Sequence, residues 1–190
     1  EEMPGQKMSK ADGDTIDVDL DSSKIIFIDD FSTFPGRLHK DKWQDQFGYP
    51  NYSFGAEPFS IGVVTLDGLD DTGYPYNFGT GQSTNINDYI TSLPIRMDKV
   101  DLLQPDVDSV YMFFDYQPQG NNPFATQEQD SIVLEFYDPG TGIWSYIWSS
   151  RGYDLMAFKR KYIKLDIKYY KEGFKFRFYN VGNQAGSVDH

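Results

Sequence analysis

Three carboxylates fall within five residues in Asp67-Gly-Leu-Asp70-Asp71-Thr-Gly73, and such a turn could surround a hard cation such as Ca2+ with carboxylate and carbonyl oxygens. The competing chemistry is local, because Asp side chains in turns cap their own backbone N–H groups. The same loop carries Tyr74, Tyr76 and Phe78, and a later stretch carries Trp144, Tyr146 and Trp148 at alternating positions. Aromatic rings stack on the apolar C–H faces of sugars while nearby polar groups take the hydroxyls. Asp67, Asp70 and Asp71 are therefore the candidate metal ligands, and Tyr74, Tyr76, Phe78, Trp144 and Trp148 the candidate ligand-binding residues. For the Trp-containing strand the competing reading is packing inside a core.

Other chemistries have weaker support. The chain has no cysteine, which removes thiol nucleophiles, Cys-ligated zinc and disulfides. Its two histidines, His39 and His190, sit in a Lys-rich loop and at the last position, which makes a Ser-His-Asp site an unpromising assignment. The stretch 79–84 (Gly-Thr-Gly-Gln-Ser-Thr) lacks the Lys of a phosphate-binding P-loop and reads as a surface turn. The run 12–21 is rich in Asp, but Ile16 stands where an EF-hand needs an oxygen ligand and no closing Glu follows. A sandwich glycosidase needs two carboxylates about 5 to 10 Å apart. Glu135 has Val133 and Tyr137 as same-face neighbours, so it reads as a lone outward residue. No catalytic residues are assigned, and an enzyme is not expected.

Strands must position these residues. Two runs, 108–117 and 130–138, are strongly patterned and apolar, with Val110, Met112, Phe114 and Tyr116 on one face of the first and Ile132, Leu134 and Phe136 on one face of the second. Further strands are expected at 24–30, 57–67, 89–97 (with Pro94 at an edge or bulge), 143–149, 162–168 (Ile163, Leu165 and Ile167 inward) and 174–180 (Phe174, Phe176 and Phe178 inward). Only 98–103 and 154–158 could be helical, for a turn or so each. With 39% hydrophobic and 17% aromatic residues, one core is affordable. About eight strands with long connections predict an all-β, two-sheet antiparallel jelly-roll sandwich over 25–190, preceded by an acidic, flexible tail over 1–24.

The net charge of −12 is unevenly spread: 151–180 holds nine bases and three acids, which reads as the solvated outer face of two late strands. Duplex nucleic acid is a poor partner for such a chain, and no run approaches the roughly 18 apolar residues of a membrane helix.

The order of motifs resembles a known family. Phe27-Ile-Asp-Asp-Phe-Ser32, Gly62-Val-Val-Thr-Leu-Asp-Gly-Leu-Asp70 followed by Gly73-Tyr-Pro-Tyr76, and Asp88-Tyr-Ile-Thr-Ser-Leu-Pro-Ile95 are similar to a pattern in Bacteroidota surface and secretion-associated proteins. The runs 108–120, 130–136, 144–148 and 174–178 continue it, so the resemblance covers roughly 25–190. It implies a MAM-like, concanavalin A-like jelly roll in exported proteins of gliding motility and type IX secretion, at the cell surface, outer-membrane-associated or extracellular. It implies no established enzyme activity and carries no agreed set of functional residues. Asp14-Thr15-Ile16 also looks like the O-glycosylation sequon of these bacteria.

The function expected on this basis is a non-catalytic module for adhesion, or an accessory component of the secretion and gliding machinery, with envelope or secretion-machinery proteins as partners. The alternative is a carbohydrate-binding module or degenerate glycosidase with a surface glycan as partner. In the family it resembles, the segment matching 186–190 runs on into a further aromatic strand. The domain is therefore expected to lack its last strand and to show an open edge beside 25–30, to be filled by a segment of a longer chain, by residues 15–21 or by another chain.

Overall fold

Phe174, Phe176 and Phe178 alternate with Lys175, Arg177 and Tyr179, a pattern that gives a strand one apolar and one polar face. In a computed structural model of the chain, the architecture is built around that strand. The structure describes residues 10–11, 15–16, 25–33, 35–70, 72–76, 84–100, 109–119, 130–152 and 156–183. In chain order its strands are β1 (Lys10–Ala11), β2 (Thr15–Ile16), β3 (Tyr49–Asn51), β4 (Val63–Thr65), β5 (Thr84–Thr91), β6 (Ile95–Arg96), β7 (Tyr111–Tyr116), β8 (Ser131–Asp138), β9 (Ile143–Arg151), β10 (Lys159–Lys164) and β11 (Glu172–Asn183). Helical structure among the described residues is confined to single 3-10 turns at Met97–Lys99 and Ile167–Tyr169. The protein is all-β with several antiparallel sheets, consistent with a β-sandwich.

The larger sheet runs outward from β11. On one side β11 pairs with β8, which pairs with β9; on the other it pairs first with β5 and then with β6. Ile16 of β2 pairs in parallel with Ile95 of β6 and is 2% exposed, so the acidic tail contributes a residue to the core. The opposing layer contains the β7–β10 ribbon and the β3–β4 pair. Between the layers the rings meet edge to face, Phe114 of β7 lying 4.8 Å from Phe178 and 5.0 Å from Trp148, and within the larger sheet Phe136 lies 5.3 Å from Phe174. Burying such rings is the main stabilising term.

Several expected elements differ from those observed. Residues 25–30 form no strand and bend at Ile26; their far end is fixed instead by the Trp43 indole N–H donating to Asp29 at 2.7 Å, the Phe31 N–H donating to the same carboxylate at 3.0 Å, and the Gly62 N–H donating to the Asp30 carbonyl at 3.3 Å. Of the run 57–67 only Val63–Thr65 is a strand. Pro94 separates β5 from β6, and its carbonyl accepts the Ile16 N–H. The strand expected at 162–168 ends at Lys164; Leu165 is buried, but Ile167 falls in a 3-10 turn and is exposed. Of the helical expectation at 98–103, residues 101–103 lie outside the described set; of that at 154–158, residues 156–158 are not helical and 154–155 lie outside the described set. Met97–Lys99 supplies the one turn seen there.

One edge of the ribbon is open. The Leu165 N–H donates to the Val110 carbonyl at 2.9 Å, which sets the phase of the β7–β10 ladder. Met112, Phe114 and Tyr116 therefore bond to β10, while Tyr111, Phe113 and Asp115 direct their N–H and C=O groups the other way. Among the described residues nothing bonds to those groups, or to the backbone of Ile26, Phe27 and Ile28. Between the two segments lies a cavity of about 1160 Å3 lined by Phe27, Trp43, Met112, Phe114, Phe176 and Phe178. The slot of one six-residue strand, about 4.8 Å wide, about 10 Å deep and about 20 Å long, encloses about 1000 Å3. The cavity is thus strand-sized.

Candidate functional site

The acidic turn folds onto its own carboxylates. Asp70 accepts hydrogen bonds from the Thr72 hydroxyl (2.6 Å), the Thr72 N–H (2.9 Å) and the Tyr74 N–H (3.0 Å). The Thr72 hydroxyl, foremost among these donors, holds Asp70 below the usual carboxylate range. Asp67 accepts from the Leu69 N–H at 2.8 Å, and burial pushes its carboxyl up. Asp71 and Phe78 lie outside the described residues. Among those described, no three His, Cys, Asp or Glu side chains gather as a metal-holding group.

Sequence reasoning missed the residue that organises this loop. Asp88 of β5 is 1% exposed, and it accepts the Asp67 N–H on Oδ2 (2.9 Å) and the Tyr76 hydroxyl on Oδ1 (2.7 Å). Burial pushes its carboxyl up to about 7. Burial, with Asp88 next, also raises the Tyr76 phenol. The available signal was parity: Asp88 shares a strand face with Ile90, which is buried. Tyr76 is thus anchored by its hydroxyl, and among the described residues of the loop Tyr74 offers its ring to solvent.

Trp144 and Trp148 lie on opposite faces of the larger sheet. In the β8–β9 ladder Tyr146 is opposite Glu135 and Trp148 is opposite Leu134, so Ile147 is an extra residue, a bulge that reverses the alternation. Trp148 faces inward, 4.8 Å from Tyr116 and 5.0 Å from Phe114. Trp144 and Tyr146 face outward.

That outer face is a grid set by register. Lys175, Tyr137 and Trp144 form one row across β11, β8 and β9, and Arg177, Glu135 and Tyr146 form the next. Arg177 lies 4.3 Å from the Trp144 ring centre and 2.6 Å from Glu135, which also accepts from the Tyr179 hydroxyl at 3.3 Å. Lys175 sits 4.7 Å from the Tyr137 ring and 5.5 Å from Trp144. The Tyr146 ring is 64% exposed.

The ribbon carries a second aromatic surface. Tyr111, Phe113 and Tyr162 project from its outer side and are 58%, 56% and 61% exposed, with Phe59 beside them. Arg160 spans this group, 5.1 Å from the Phe113 ring and 5.7 Å from Phe59, while forming a two-pronged bond to Asp115 at 2.7 and 2.8 Å. No model of a known protein family matches the chain, and searches of curated proteins and of solved structures give no match.

Proposed function

We propose that the chain is a non-catalytic, exported β-sandwich module that acts in adhesion or as an accessory component of a surface secretion and gliding machinery, and that it takes one further extended segment beside β7. The observation that carries this reading is the ribbon, whose unpaired β7 edge, strand-sized apolar cavity and exposed aromatic face lie together. Such an edge gains affinity from backbone hydrogen bonds and specificity from alternate side chains that fill the cavity. The two ribbon edges differ in the way that supports it. β10 carries Lys159, Arg160, Lys161 and Lys164, the charges that protect a free edge from pairing, whereas β7 has only Asp115, already bonded to Arg160. Envelope or secretion-machinery proteins are the partners.

The test is affinity capture from an envelope extract, with the domain and its Tyr111→Ser/Phe113→Ser variant as baits. The domain is expected to retain a defined protein set that the variant loses at unchanged melting temperature. Equal recovery by both baits would overturn the reading. A second reading, glycan binding, is favoured by the outward rings of Trp144 and Tyr146 on the larger sheet.

A further inference from the structure

Polar groups around an outward aromatic pair, Tyr146 exposed and Trp144 half-buried, decide which sugars suit it. Glu135 neutralises Arg177 through the Nε and Nη2 atoms of the guanidinium, which leaves Nη1 without a partner among the described residues. Lys175 stands in the same grid with rings on its flank and no ion pair among the described residues. An unpaired cation beside aromatic rings is notable in a chain of 29 acids and 17 bases. On the two rows themselves Lys175 and Arg177 stand against one carboxylate, Glu135. The backbones of Lys175 and Trp144 are two strand spacings apart, about 10 Å, but the Lys175 ammonium leans across Tyr137 to 5.5 Å from the Trp144 ring. One row of the grid thus gathers two rings and a positive charge in a single patch.

We propose that the outer face of β8, β9 and β11 binds acidic polysaccharides, with Trp144 and Tyr146 stacking on sugar rings, Arg177 Nη1 donating to hydroxyls and Lys175 receiving a hexuronate carboxylate. This rests on the glycan reading and adds the charge class of the ligand. A neutral sugar would use the rings and leave Lys175 idle. A carboxylate engages both, and the Lys175 contribution weakens as salt screens it.

Calorimetric titration of the domain with polygalacturonate, alginate and hyaluronate, each beside its carboxyl-reduced neutral form, tests it. At least one acidic polymer is expected to bind ten-fold or more tightly than its reduced form. Lys175→Gln should cut that affinity at least five-fold while leaving any binding of the reduced polymer unchanged. Trp144→Ala should remove binding to both at a near-native melting temperature. Equal affinity for acidic and reduced polymers, or an unaffected Lys175→Gln, would overturn the acidic class and leave the glycan reading standing. Failure to bind any of the six polymers would overturn both.

Discussion

Asp88 shows how one buried carboxylate couples a surface loop to the sheet. Each of its oxygens accepts one hydrogen bond from the 67–76 loop, and no cation offsets its burial among the contacts described. Its folded pKa of about 7 lies above the unfolded carboxylate value of about 3.9, so ionisation disfavours the fold. The stability held by the neutral acid below about pH 4 is therefore lost as pH rises toward 7. Asp45, raised to about 6 mainly by burial, acts in the same direction. Asp30, Asp98 and Asp138 have lowered values and act oppositely, losing their contribution only as pH falls below the ordinary carboxylate range. Thermal melts between pH 5 and 8 should show a falling midpoint, and the fall should be smaller in Asp88→Asn. A midpoint independent of pH in the native chain would show that the group is not titrating there.

At the scale of strands, alternation was legible wherever one face is buried and the pairing is continuous. The inward sets Met112, Phe114 and Tyr116, then Leu134 and Phe136, then Phe174, Phe176 and Phe178 were all readable from period two. Residues 25–30 have the composition of a strand, but composition does not name a partner, and the Asp29 and Asp30 bonds fix their far end instead. Nor does sequence mark the extra residue of a bulge. Ile147 looks like an ordinary strand residue, yet it divides Trp144 and Trp148 between two environments. Stability should follow that division. Trp148→Ala, which opens the aromatic core, is expected to cost about 3 kcal/mol, the lower end for large aromatic truncations. Trp144→Ala, which removes ring contacts on the solvent side, is expected to cost about 1 kcal/mol. Urea unfolding of the two variants measures both, and equal losses would place both rings in comparable surroundings. The candidate sites were legible as residue types; their grouping depended on register and on Asp88, neither visible as a motif.

For the whole molecule the two layers are unequal. The larger sheet has seven strands and buries its phenylalanines around β8 and β11, whereas the opposing ribbon has two strands and leaves β7 unpaired on the cavity side. The basic stretch 151–180 includes β10 and β11, so the positive charge of an acidic chain falls on the ribbon's outer edge and on the aromatic grid. Joining another polypeptide segment is expected at β7 and sugar binding at the opposite surface. The first is tested most directly by hydrogen exchange of the β7 amides, followed residue by residue in the dilute domain. Met112, Phe114 and Tyr116, whose N–H groups are bonded to β10, should exchange slowly, and Tyr111, Phe113 and Asp115 should exchange rapidly. Slow exchange at all six amides would mean that the edge is already paired, which would contradict a β7 free to receive a strand.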